Sequence, residues 1–132
     1  MSQGPEEILK AAYVELLDNH NLEGFLTFIA DDGKMIEAKS LPYGGEYFGI
    51  DAIRRALMHV MDFFSELSFI PHIYTTSGEW VIAYGDFSVT ARHSGRSVSI
   101  PLAEAFHVVD GKIKLFHPVY GDTAAILEIL AK

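Results

Sequence analysis

The sequence predicts an α+β fold. Its sheet is curved, antiparallel or mixed, and closed into a cone by three helices from the N-terminal half and a short C-terminal helix. Three observations carry this reading. Apolar residues recur at helical spacing in the first half, at Ile8, Leu9, Ala12, Tyr13, Leu16 and Leu17 and again at Ile53, Leu57, Val60 and Phe64. From Leu67 onward the pattern becomes strand-like, in segments separated by Ser77-Gly78, Ser94-Gly95 and Asp110-Gly111. Helices followed by a run of hairpin-linked strands is the α+β order.

At 132 residues, 49% hydrophobic and 21% charged, the chain is expected to form one domain, 1–132, with a real core. The net charge of -8 repels phosphates, which argues against nucleic acid or an anionic membrane as partner. With no cysteine there is no disulfide framework, thiol nucleophile or thiolate metal site. The polar, acidic start, MSQGPEE, does not read as a signal peptide, and no apolar run is long enough to span a bilayer. A cytoplasmic location is the expectation.

Pro5-Glu6-Glu7 opens the first helix, because proline suits the first turn and the acids complement the helix dipole. Tyr13 stands in the middle of its apolar face, either as a core aromatic or as a hydrogen-bond donor into a cavity. Asp18-Asn19-His20-Asn21 ends that helix, with His20 read as a solvated loop residue, and Leu22–Ala30 forms a short second one. Asp31-Asp32-Gly33 reads as a turn and 34–39 as a strand, with Met35, Glu37 and Lys39 on one face and Ile36 and Ala38 on the other. Which face points inward is open at this stage. Residues 40–47, with Pro42, Gly44 and Gly45, read as a loop, either a plain surface loop or a lid carrying Tyr43 and Tyr47. The third helix runs from Gly49-Ile50-Asp51 to about Ser65, with His59 on its exposed side and no second ligand at metal-binding spacing. Asp122-Thr123 caps the final helix, which buries Ile126, Leu127 and Leu130.

The segment 98–122, VSIPLAEAFHVVDGKIKLFHPVYGD, organises the rest. Asp110-Gly111 is the dipeptide preferred by a two-residue type I′ hairpin. Counting outward from it sets Val108 against Ile113, Phe106 against Leu115, Glu104 against His117 and Leu102 against Val119. All eight then share one face, an apolar wall holding a single carboxyl–imidazole pair. Such a wall is either a pinned core or the lining of a pocket. A helix-covered curved sheet has a hollow suited to a small apolar ligand, and Phe106, Leu115, Phe64, Trp80 and Tyr47 are expected to line it.

The element order, together with the Tyr13 helix, LEGFLTFIADDGK, FGIDAIRR and EAFHVVDGKIKLFHPVYGDT, resembles the nuclear transport factor 2-like superfamily, the α+β cone, over nearly the whole chain. Within it the chain resembles the bacterial ketosteroid isomerases and the SnoaL-like polyketide cyclases. The isomerase resemblance implies that Glu37 falls on the general base, Tyr13 on the oxyanion-hole tyrosine and Glu104 on the protonated oxyanion-hole acid. Both acids are aspartates in that family, and glutamate moves each carboxyl by about one bond length, a scale on which proton transfer is sensitive. A Glu104–His117 ion pair would leave Glu104 ionised and unable to donate. The cyclase resemblance implies Asp122 as the acid/base residue, although Asp122 also reads as a helix cap. An epoxide-hydrolase arrangement would use Arg92 and Asp122 with a second aspartate that the sequence does not place.

Three functions follow. The first is an acid/base enzyme, free of metal and organic cofactor, that enolises a small apolar ketone. The second is a non-catalytic binder of a small hydrophobic molecule, and the third a purely structural dimerisation module. Exposure of Glu37 discriminates, because a base must face the hollow. A hollow filled by Phe63, Phe69, Trp80 and Phe87 would exclude the first two. By resemblance the chain is expected to be a homodimer. The polar strand positions Ser88, Thr90, Arg92, Ser97 and Ser99 neither favour nor oppose this.

Overall fold

Helix α1, Pro5–Tyr13, starts as the sequence predicts, with proline in its first turn and Glu6 and Glu7 beside it. It buries Ile8, Leu9, Ala12 and Tyr13. In the computed structural model, which describes residues 4–131, the chain continues past Tyr13 into a π-helical turn, Val14–Asp18. The first three residues, part of the polar start noted above, lie outside the described residues. Helix α2 is only Leu22–Leu26, capped by the Asn21 side chain on the Gly24 N–H, because Ile29 and Ala30 already belong to a strand.

That strand, β1, is Ile29–Glu37 and contains the expected turn residues Asp31-Asp32-Gly33. They form a bulge and not a reversal. Pairing with the last strand steps from Ile29↔Ile113 to Lys34↔Leu115, five residues of β1 against two of its neighbour. Gly33 fits this kink because a Cβ there would lie 2.7 Å from Ile29 Cγ2. The expected loop 40–47 also differs. Gly45–Phe48 forms a short edge strand, β2, antiparallel to β1, with Tyr47 opposite Met35. Helix α3, Ile50–Phe63, buries Ile53, Ala56, Leu57 and Val60.

The remaining strands are β3 (Phe64–Ser77), β4 (Trp80–Ala91), β5 (Ser97–Val109) and β6 (Lys112–Tyr120), followed by helix α4, Thr123–Leu130. The sheet order is β2-β1-β6-β5-β4-β3, with only the β1–β6 pair parallel. This is the curved, open six-stranded sheet of an α+β cone. Helices α1 and α3 cover its inner face, where Phe69, Val81, Phe87, Leu102, Phe106 and Phe116 are buried. The outer face carries hydrogen-bonded hydroxyl pairs at one end, Ser88–Ser99 and Thr90–Ser97. Toward the other end it exposes Ile70, Ile73, Trp80, Ile82, Tyr84 and Val119. No helix among the described residues is long and apolar enough to cross a membrane.

The β5–β6 hairpin corrects the predicted register. Asp110 and Gly111 have φ of 52° and 77°, as a type I′ turn requires, and Val108 does pair with Ile113. One residue further, the ladder slips: His107 pairs with Leu115, Phe106 with Phe116, Ala105 with His117 and Glu104 with Pro118. Lys114 is the extra residue. Because side chains alternate, one inserted residue turns the rest of β6 over. Leu115, His117 and Val119 therefore face outward, and Phe116, Pro118 and Tyr120 face the hollow. Glu104 and His117 are not a pair.

Candidate active site

Between the inner face of the sheet, the π-helical turn and α3 lies a cavity of about 440 Å³, within the usual range for small-molecule sites. Phe69 and Phe87 form part of its wall and do not fill it; Phe63 packs against Tyr43, and Trp80 stacks on His107 on the outer face. The wall is mostly apolar, and two buried carboxyl groups reach it from the sheet, with the exposed Glu66 of β3 also in the lining. Glu37 comes from the end of β1, buried to 3% exposure, and Glu104 from the middle of β5, buried to 9%. Met35 pairs with Phe116 across β1 and β6, so two residues on, Glu37 stands level with Pro118, which pairs with Glu104. The two acids thus flank one proline in a single row across the cavity floor.

Each acid has a phenol partner. Tyr13 Oη donates to Glu104 Oε1 at 2.6 Å, and Tyr120 Oη donates to Glu37 Oε1 at 3.0 Å. Tyr43 Oη lies 3.0 Å from Tyr120 Oη. Neither Glu37 nor Glu104 uses Oε2 in a hydrogen bond among the described residues, and none of their side-chain polar atoms is both sealed from solvent and unpaired. In each acid, therefore, one oxygen is held by a phenol and the other opens on the cavity.

Burial penalises the charged form of both acids. It raises Glu37 to about 8, opposed by the Tyr120 hydrogen bond and reinforced by Glu104. It raises Glu104 to about 7, opposed by the Tyr13 hydrogen bond. Tyr13 is itself pushed well above the ordinary phenol value, by burial first and then by Glu104, so it remains a proton donor. Burial and the nearby Glu37 push Tyr120 the same way. Near neutral pH the cavity floor holds weak acids, not two fixed negative charges.

Tyr13 is delivered by the last turn of α1. Its ring meets Phe69 and Phe106 edge-on, at centroid distances of 5.9 Å each. The π-helical turn that follows swings Leu16 and Leu17 over the cavity, and π-turns inside helices are frequent at functional sites. His20 is exposed in its loop, as expected, and also borders the cavity, with φ of 50°.

The structure brings Tyr13, Glu37, Glu104 and Phe64 to the cavity and leaves other expected residues elsewhere. Phe106 is buried beneath the floor, stacked on Phe116 at 4.8 Å. Leu115 and His117 lie on the outer side, turned there by the β6 bulge. Tyr47 donates to the Tyr43 carbonyl outside the cavity. Asp122 caps α4 by accepting from the Ala125 N–H at 3.1 Å. The Arg92 guanidinium, at the rim, donates to the Met61, Asp62 and Phe64 carbonyls, so it forms no Asp-Arg-Asp set with Asp122. Sequence reasoning missed Tyr120 and named Tyr43 only as part of a possible lid. Tyr120 alternates with Phe116 and Pro118 once the bulge is known, whereas Tyr43 carries no periodic signal. No three His, Asp or Glu side chains among the described residues form a metal-binding cluster.

Comparison with known proteins agrees with this architecture. The SnoaL-like domain model matches residues 11–116, and the chain belongs to that family. Among solved structures it is similar to an NTF2-like protein of unknown function from Burkholderia pseudomallei, with a TM-score of 0.91 and 23% identity over 99% of this chain and 100% of that one. It is also similar to TerC co-crystallised with polyporic acid, with a TM-score of 0.87 and 22% identity over 96% and 97% of the two chains. A third is a proposed polyketide cyclase from Xanthomonas campestris, with a TM-score of 0.81 and 18% identity over 96% of each. At these identities the likeness shows the fold. No curated protein matches the sequence.

Proposed function

We propose that this SnoaL-like domain is an acid/base enzyme that needs no cofactor and enolises a small, apolar, uncharged ketone. The single observation that supports it best is the pair of buried carboxyls, each with one oxygen tied to a tyrosine and the other open to the same apolar cavity. Glu37 Oε2 takes the proton from the carbon next to the carbonyl. The C–H electron pair becomes the enolate double bond, and charge moves onto the carbonyl oxygen. Glu104, in its neutral form, donates to that oxygen, and Tyr13 holds Glu104 in place. Return of the proton to a different carbon gives an isomer; attack of the enolate on a second carbonyl closes a ring. An anionic substrate is disfavoured at the cavity floor, because the polar groups there are the carboxyls of Glu37 and Glu104 and the phenols of Tyr13 and Tyr120, and Arg92 donates to backbone carbonyls. Co-crystallisation of TerC, of similar fold, with polyporic acid supports a small organic molecule as the kind of ligand.

The test is deuterium uptake at the α-carbon of simple cyclic ketones in D₂O, followed by NMR, together with conjugated-enone formation from a β,γ-unsaturated 3-ketosteroid. Exchange in the wild type that disappears in Glu37→Gln is the expected result. Binding of ketones without exchange at any pH overturns the enzyme reading. One feature favours the non-catalytic alternative: burial raises Glu37 as well as Glu104, so near neutrality the proposed base also holds a proton. In that reading the two acids serve as hydrogen-bond donors to a bound ketone or phenol.

The proposal includes a homodimer formed through the outer sheet face, where Ile70, Ile73, Tyr84 and Val119 are each about half exposed. Light scattering that gives a monomer at micromolar concentration would remove it.

A further inference from the structure

We propose that Tyr120 and Tyr43 act as a positioning chain for Glu37, fixing one carboxylate oxygen by hydrogen bonding so that the other is presented to the ligand, and favouring the charged form over the neutral one. The proposal rests on the reading of Glu37 as the group that takes the proton, and it assigns roles to two residues outside that reading.

The geometry sets the direction of the chain. Tyr120 has one proton and stands 3.0 Å from Glu37 Oε1. An ionised carboxylate can only accept, so that proton belongs to Glu37. Tyr43, also 3.0 Å from Tyr120 Oη, must then be the donor in its own contact. Tyr43 is 1% exposed, and among the described residues its hydroxyl has no hydrogen-bond partner but Tyr120. Its ring packs on Phe63 and Phe64 as a phenylalanine would, so the hydroxyl adds to the core only the bond to Tyr120. That bond polarises Tyr120 and strengthens its hydrogen bond to the carboxylate. The segment carrying Tyr43 is fixed in turn by Tyr47, which donates to the Tyr43 carbonyl at 2.7 Å.

No cation among the described residues acts on Glu37: the arginine of the lining, Arg92, is turned to the carbonyls of Met61, Asp62 and Phe64. Glu104 approaches from β5, with Tyr13 beyond it, and Tyr43 and Tyr47 come from the β1–β2 side. Glu66, His20 and Arg92 stand at other parts of the cavity lining, and α3 faces it with Leu57, Val60 and Met61. The hydrogen bond from Tyr120 is the one influence identified on Glu37 that favours its charge against burial and Glu104.

The experiment follows the side-chain carboxyl of Glu37 by ¹³C NMR, titrating the wild type, Tyr120→Phe and Tyr43→Phe. A hydrogen bond to a charged group corresponds to about one to two pKa units, so Tyr120→Phe moves the Glu37 midpoint up by about that much. Tyr43→Phe, acting through Tyr120, moves it up by a few tenths of a unit. Glu104, which has its own phenol, moves less than Glu37 in both. Where ketone exchange is measurable, its rate at a fixed pH on the acid side, which is proportional to the ionised fraction of Glu37, falls by the corresponding factor, and the maximum of the profile falls with it. A Glu37 midpoint unchanged or lowered in Tyr120→Phe overturns the chain. If that variant does not fold, an unchanged midpoint in Tyr43→Phe overturns it equally. The two readings fail separately: NMR shifts without ketone exchange remove the enzyme and leave the chain, and exchange without the shifts does the reverse.

Discussion

Tyr13 and Glu104, 91 residues apart in sequence, meet at 2.6 Å across the cavity of the cone. The bond is of the short length expected when a phenol donates to a carboxylate. It brings the end of α1 onto the middle of β5, and it commits the one proton of Tyr13 to Glu104 Oε1. In this arrangement Glu104 Oε2 is the oxygen that confronts a ligand, and Tyr13 acts on the ligand through it.

Tyr13→Phe tests that assignment. Loss of the donor raises Glu104 further, because the hydrogen bond is what opposes burial. Glu104 then stays neutral to higher pH, and the descending limb of the ketone-exchange profile moves up while the rate at its maximum changes by less than about tenfold. A direct oxyanion donor behaves differently: its removal lowers kcat by about a hundredfold or more without moving the limb. Steady-state rates from pH 6 to 10 separate the two.

The pH profile of the wild type follows from the two acids together. Turnover needs Glu37 ionised and Glu104 neutral. Burial raises both into the same neutral range, Glu37 to about 8 and Glu104 to about 7. The productive form, ionised at Glu37 and protonated at Glu104, is then a minor one that peaks between these values, with the observed rise at the lower midpoint and the fall at the upper. Glu104→Gln keeps a donor facing the cavity and cannot ionise. The expected result is a profile that rises through the Glu37 limb and then stays level. A bell that persists in this variant assigns the descending limb elsewhere.

The boundary between what the sequence disclosed and what it withheld falls at the β6 bulge. Helix periodicity placed Tyr13 and, of the α3 stripe, Ile53, Leu57 and Val60 correctly, while Phe64 opens β3, and Asp110-Gly111 marked a turn whose φ values match. Alternation alone cannot register an inserted residue, and Lys114 between Ile113 and Leu115 has no side-chain signature of a bulge. The slip exchanged His117 for Pro118 opposite Glu104 and brought Tyr120 to the cavity. The inward face of β1 was also undecided, since Met35, Glu37 and Lys39 alternate with Ile36 and Ala38 without a clear apolar side. Tertiary packing settled it by burying a carboxylate, an arrangement that local propensity opposes and that marks sites under functional constraint.

Asp122 separates the cyclase-like site from the cap. Its carboxyl accepts from the Ala125 N–H at the start of α4 and lies outside the cavity. Asp122→Ala should reduce stability to urea by about 1 kcal/mol, the usual cost of an N-cap. Kinetic constants for ketone exchange should remain within about twofold. A large fall in kcat with stability unchanged would give Asp122 the acid/base role instead.

Stability should fall on the alkaline side in a way most soluble domains do not show. Glu37 and Glu104 have folded pKa values near 8 and 7, raised from 4.5, so between these limits the folded chain holds protons that the unfolded chain has released. Their favourable contribution is complete below about 4.5 and is lost as pH rises through 7 and 8. For Glu37 alone the loss is on the order of a few kcal/mol. Exposed acids act in the opposite sense at low pH: Arg54 lowers Glu23 and Lys114 lowers Asp32, so their contribution disappears as those carboxyls protonate. Maximum stability is therefore expected near pH 5, with Tm falling steadily toward pH 9. Glu37→Gln removes the largest part of that decline while keeping a group of the same shape beside Tyr120. A thermal-unfolding series from pH 4 to pH 9 checks this, and a wild-type Tm that is flat or rising between pH 6 and 9 would show that Glu37 and Glu104 ionise in the folded chain without the burial penalty.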